Sequence, residues 1–266
     1  MMGMSHILPV LDACSADGLK PQLGRISNPQ APVFVDWQLR PGQFTGPLQV
    51  ANLYVGQMAP HWGPTLAVQT EPTVVAMAPG FQKLLGTMSP AGGQNTLFTF
   101  IHGEEPIQLA LRERPDPYDF ELPERPDLGL LPGRQVLPRD VVEKLDAHQL
   151  EKTRAILMAI RAAHAELRVV NVLCPPTIRS AHWDPGPGGE RSDTMALSPL
   201  SVRLKVYLLY ERQLRQAAAG WRIESLAPPP ETVCEQGYLR DEFAADSVHG
   251  NKRYGERVVH QMNALL

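Results

Sequence analysis

Cysteine is scarce in this chain. Cys14, Cys174 and Cys234 are scattered, odd in number, and form no Cys-x-x-Cys pair. That argues against a disulfide framework and against a thiolate zinc site. No run of about 18 apolar residues occurs, so no membrane span is expected. The opening residues, MMGMSHILPVLDACSADG, lack a basic start and a long apolar core, and do not read as a secretory leader. Positive charge is not in excess. The net charge is −3, so nothing favours nucleic acid or an anionic membrane as partner. Internal repeats and low-complexity tracts are missing too. The expectation is a chain kept in a reducing cytoplasm, with the oligomeric state left open.

Apolar residues make up 43% of the chain and charged residues 20%, as in ordinary globular proteins. The 266 residues suffice for one large domain with a full core. The 26 prolines and 21 glycines predict long loops, placed near 40–95, 103–139 and 175–197. Helical periodicity marks 6–14, 140–167, 200–220 and 252–266. The helix at 140–167 is expected to pack on a sheet through Val142, Leu145, Leu150, Ile156, Leu157 and Ile160. Ser198 is the expected N-cap of the next helix, Pro199 its first residue and Gly220 its C-cap. Short apolar runs at 32–39, 96–102, 167–173 and 221–227 read as strands buried on both faces. A short hairpin is expected around LQVANLYVG, and a helix broken at Pro79–Gly80 within PTVVAMAPGFQKLLGTM. From residue 140 helix and strand alternate, which predicts an α/β fold with a mostly parallel sheet. In such sheets ligands bind beyond the carboxyl ends of the strands, where two of the long loops begin.

Near the C-terminus, ADSVHGNKRYGERVV places Asp246 three residues before His249, just ahead of the last helix. Side chains at that spacing can lie close. A carboxylate bonded to one imidazole nitrogen fixes the tautomer and leaves the other nitrogen free to take a proton. The plain alternative is a polar helix start with a solvated histidine. A general base needs a nucleophile and an oxyanion hole. In MMGMSHIL, Ser5 follows a very short apolar stretch and precedes a helix, so its N–H would lie at a positive helix terminus. Helix capping is the competing use of this serine.

Gly3-Met4-Ser5-His6 resembles the first sequence block of the SGNH, or GDSL-type, hydrolase superfamily, and DSVHGN at 246–251 resembles its last. TLFTFIHGEEP at 96–106 stands where its third block, a buried strand ending in Gly-x-Asn, would stand. The resemblance implies one domain over 1–266, a three-layer flavodoxin-like sandwich with a mostly parallel five-stranded sheet. It implies Ser5 as nucleophile, His249 as general base and then acid, and Asp246 as the group orienting the histidine. Gly103 matches the third-block glycine, and Gly42 or Gly46, expected after the second strand, the second-block glycine. The chain departs from the pattern at Glu104, which takes the place of the oxyanion asparagine. An ionised glutamate only accepts hydrogen bonds. Losing such a donor costs on the order of 3 kcal/mol, whereas a protonated glutamate in apolar surroundings still donates. Asn95 cannot easily replace it, being about 30 Å away along the strand at about 3.3 Å per residue. Only four residues precede Ser5 here, so the first strand is expected either to be short or to begin before Met1.

His102, Glu104 and Glu105, with His61 or His182, have metal-binding character, but no His-Glu-x-x-His occurs. No cofactor or metal is expected. Cys174, before Pro175–Pro176, reads as a buried structural thiol. The charged segment 112–127 reads as a solvated loop that Tyr118 and Phe120 are expected to pin to the body, and Trp183 either lines a substrate cleft or anchors its own loop. Two functions stay open. One is a serine ester hydrolase or acyl transferase acting on a small ester or an acetylated carbohydrate. The other is a protein of the same fold that binds a ligand or partner without turnover.

Overall fold

The computed structural model describes residues 2–3, 6, 8–14, 33–37, 53–57, 67–77, 79–87, 96–101, 106–179 and 196–266. In chain order the described elements are β1 (Met2–Gly3), α1 (Leu8–Cys14), β2 (Val33–Trp37), β3 (Leu53–Gln57), β4 (Ala67–Glu71), β5 (Val74–Met77), α2 (Pro79–Thr87), β6 (Thr96–Phe100), β7 (Tyr118–Asp119), β8 (Gln135–Val136), α3 (Arg139–Gln149), α4 (Glu151–Ala163), β9 (Arg168–Val172), α5 (Leu200–Gly220), β10 (Glu224–Leu226) and α6 (Lys252–Asn263). The fold is mixed α/β. Its main sheet has the order β10-β9-β6-β1-β3-β2. The first five of these are mutually parallel, and β2 closes the edge antiparallel to β3. Among the described residues no helix is long and apolar enough to cross a membrane.

The sequence of β6 and β9 explains why they pair at the middle of the sheet. Both are buried after their first residue, so neither face meets water. Alternate side chains point to opposite faces of a strand. Leu97, Ile101, Val169 and Leu173 join a cluster with Ile156, Leu157 and Ile160 of α4 and Leu204 and Tyr210 of α5. Phe98, Phe100, Val170 and Val172 join a second cluster with Val10 of α1 and Tyr254, Val258 and Met262 of α6. A third cluster packs Leu109, Phe120 and Val142 against Val202, Val206 and Leu209 of α5. Tyr118 and Phe120 do pin their segment. Both are buried, and the Tyr118 hydroxyl donates to the Leu109 carbonyl at 3.1 Å.

Several expectations need correction. The helix expected at 140–167 is two helices, broken at Leu150. The halves serve different clusters: Val142 turns to the third and Leu150 to the first, while Leu145 is 40% exposed. Of the expected hairpin at LQVANLYVG, residues 53–56 lie in one strand, β3, paired with β1 and β2, and 48–52 lie outside the described residues. Pro79 starts α2 after strand β5 rather than breaking a helix, as suits a residue with preset φ and no N–H. Ser198 does not cap α5. Its hydroxyl donates to the Arg112 carbonyl at 3.1 Å, and Pro199 holds the cap position. Gly220 ends α5 without left-handed backbone, which falls to Arg222 at φ 57°. The segment 103–139, expected as loop, contains a π-helical turn at Ile107–Leu111 and the small β7–β8 pair.

One glycine joins the two ends of the chain. Gly255 on α6 lies so close to α1 that a Cβ built there would overlap the Pro9 carbonyl and crowd the Val10 nitrogen. Backbone cannot rotate aside as a side chain can. Gly255→Ala is therefore expected to destabilise the protein by about 1–3 kcal/mol through overpacking. This outweighs the gain of about 1 kcal/mol that alanine brings to a helix. Urea unfolding of the two proteins measures the difference, and an unchanged midpoint would contradict the close docking of α1 on α6.

Candidate functional site

The segment 244–251 is held from both ends before its side chains act. Asn251 caps α6: its Oδ1 accepts from the Tyr254 N–H at 3.2 Å. Its Nδ2 donates to the carbonyls of Glu242 and Ala244 at 2.9 and 3.1 Å. The Ala245 N–H donates to the His249 carbonyl at 2.9 Å, closing the loop. Within it, Asp246 Oδ1 accepts the N–H groups of Val248 and His249, each at 2.7 Å. Oδ2 lies 2.8 Å from His249 Nδ1. The aspartate thus shapes its own loop and orients the imidazole. Its side chain is 11% exposed and that of His249 29%. Burial works against the charge on Asp246. The hydrogen bond and charge of His249, with the two backbone N–H groups, outweigh it and hold the carboxyl below the usual value.

With Nδ1 turned to the carboxylate, Nε2 is the atom left to accept a proton. Beside the imidazole lies His6, whose buried ring has its centroid 5.0 Å from that of His249, tilted by 41°. The first residues of the chain therefore reach the Asp246–His249 pair. His6 lines a cleft. Among the described residues its walls come from the π-helical turn (Pro106, Leu111), the chain after β9 (Cys174 to Ile178), α5 (Arg203, Tyr207) and the aspartate loop (Ser247, Val248). The site thus lies past the carboxyl end of β9, where ligands sit in open α/β sheets.

Ser5, Gly46, Gly103, Glu104 and Trp183 lie outside the described residues, as do Gly42, Asn95, His61, His102, Glu105 and His182. The strand at 32–39, read as the second, is the antiparallel edge strand β2, and β1 lies between β6 and β3, parallel to both. Cys174 is buried, with its thiol 3.9 Å from the Tyr210 hydroxyl oxygen. The sequence reading gave no role to His6, Arg203 or Tyr207. On α5, Arg203 and Tyr207 stand four apart, a spacing that shares one helix face, but only the folded chain says what that face meets.

The chain matches no family model and no curated protein. Among solved structures it is similar to "a putative platelet activating factor" from Streptococcus pneumonia. The identity is 11% and the TM-score 0.35, over 69% of this chain and 88% of that one.

Proposed function

We propose that this protein is a serine ester hydrolase or acyl transferase built as one SGNH-like α/β domain over residues 1–266. The parallel strands run β3-β1-β6-β9-β10 across the sheet, and helices contribute to clusters on both faces. That order supports a three-layer flavodoxin-like arrangement with β2 added at one edge. The observation that carries the reading is the 2.8 Å contact of Asp246 with His249 Nδ1, made beside His6, the residue that follows Ser5.

In this reading Ser5 Oγ attacks the ester carbonyl carbon while His249 Nε2 takes its proton. Asp246 stabilises the imidazolium. As the tetrahedral adduct collapses, the bond from carbon to the alcohol oxygen breaks, and the imidazolium returns the proton to that alcohol. Water, or an acceptor alcohol, then gives its proton to His249 and attacks the acyl-enzyme. The imidazolium then gives that proton to Ser5 Oγ as the Ser5 ester bond breaks, which releases the acid or the new ester and restores the free serine. The Ser5 N–H with Gly46 and Gly103 would supply the oxyanion donors, beside Glu104, with Trp183 along the substrate. The substrate is a small ester or an acetylated carbohydrate.

A fluorophosphonate probe tests this directly. Covalent labelling of the wild type that disappears in Ser5→Ala supports the hydrolase. Absence of labelling in both proteins, each folded by circular dichroism, rejects it. The reading of a binding protein without turnover, which Glu104 at the oxyanion position favours, would then hold.

A further inference from the structure

We infer that the cleft beside His6 is an acyl pocket for a short straight aliphatic chain, so that the preferred ester is of the butyryl type rather than an acetyl ester. This rests on the hydrolase reading. Pro106, Leu111, Pro175, Pro176, Ile178 and Val248 give the cleft an apolar wall. Prolines have no N–H to offer, so three of these six residues give no backbone donor to a sugar hydroxyl. Two of the polar side chains in the same wall, Arg203 and Tyr207, donate to backbone carbonyls of the protein. Arg203 donates from Nε to the Ser198 carbonyl and from Nη1 to the Ile178 carbonyl, each at 2.9 Å. The Tyr207 hydroxyl donates to the Cys174 carbonyl at 3.1 Å. Arg203 thereby fastens the proline-bearing stretch to the start of α5.

A polar group buried without a partner costs free energy, and a sugar ring carries several. A methylene gains from the same wall, by about fourfold in binding for each one fully buried. The alcohol half of the ester must then lie on the other side of the His249 imidazole, towards solvent. Ser247 and Val248 join the wall to the catalytic loop, so an acyl chain lying here would keep its carbonyl carbon near the histidine.

The experiment compares kcat/KM for p-nitrophenyl acetate, butyrate and octanoate and for the p-nitrophenyl monoester of succinate, with fluorophosphonate labelling of Ser5 in parallel. A preference of about fifteenfold for butyrate over acetate is expected from two further methylenes, with the charged succinyl ester poor. Leu111→Ala should raise the ratio of octanoate to butyrate, a ratio insensitive to the fraction of folded protein. Labelled Ser5 with acetate or succinate preferred overturns the acyl pocket and leaves the hydrolase. An octanoate-to-butyrate ratio unchanged by Leu111→Ala removes that wall from the pocket and also overturns it. Unlabelled Ser5 overturns both readings.

Discussion

Asp246→Asn is expected to lower kcat/KM for an activated ester by about 10³- to 10⁴-fold while the fold persists. The asparagine can keep its oxygen on the Val248 and Val248-following N–H groups, which Asp246 Oδ1 now holds at 2.7 Å. The loop therefore keeps its shape. What changes is the atom facing His249 Nδ1, now a carboxylate oxygen at 2.8 Å. An amide NH₂ there donates instead of accepting. The imidazole must then carry its proton on Nε2, the wrong nitrogen for a base. Labelling by a fluorophosphonate should slow with turnover. The stability effect has its own pH signature. The folded carboxyl is held below its ordinary value of 3.8 despite its burial. A depressed pKa contributes stability that is present above the unfolded value and lost as pH falls through the folded one. The wild type's advantage over Asp246→Asn should thus be full near neutrality and fade below pH 3.8. An unchanged kcat/KM in a folded Asp246→Asn protein would remove the pair from the chemistry.

Lys205→Met is expected to cost about 3–5 kcal/mol of stability, the penalty for stranding a buried charge. Lys205 is 1% exposed and Asp119 fully buried. The ammonium lies 2.7 Å from Asp119 Oδ1 and 2.9 Å from the Phe120 carbonyl, and also reaches the Gly129 carbonyl. All three of its hydrogens have acceptors. Asp119 in turn takes the N–H groups of Phe120 and Leu131, at 2.7 and 2.9 Å. This one contact clamps the stretch from β7 to Leu131 onto α5, which forms one wall of the cleft. Methionine fills the space of the lysine stem but leaves a carboxylate in a dry interior. Removing both charges in Lys205→Met/Asp119→Leu should recover only part of the loss, because two backbone N–H groups are then orphaned. Urea midpoints measured at an unchanged m-value provide the test. A shift under about 1 kcal/mol would mean that water reaches this pair.

The contrast between these two pairs shows what could be read early. Asp246 and His249 are three residues apart, and local backbone geometry brings them together, so their partnership was visible in DSVHGN. Asp119 and Lys205 are 86 residues apart. Asp119 lay in what read as a solvated loop, and Lys205 in a helix whose periodicity did not mark it as internal. The same holds for Ser198, a sound helix cap by its local sequence, which a distant carbonyl of Arg112 claimed instead.

By itself the sequence determined the strands at 96–100 and 168–172, the helices at 200–220 and 252–263, their α/β alternation and the aspartate–histidine pair. Each rests on periodicity or on contacts within a few residues, where side-chain direction follows from the backbone alone. The tertiary structure decided the place of β3 beside β1, the division of 140–167 into two helices, the buried lysine and the walls of the cleft. Those depend on which distant surfaces meet, and burial in three dimensions, not local preference, sets their energy.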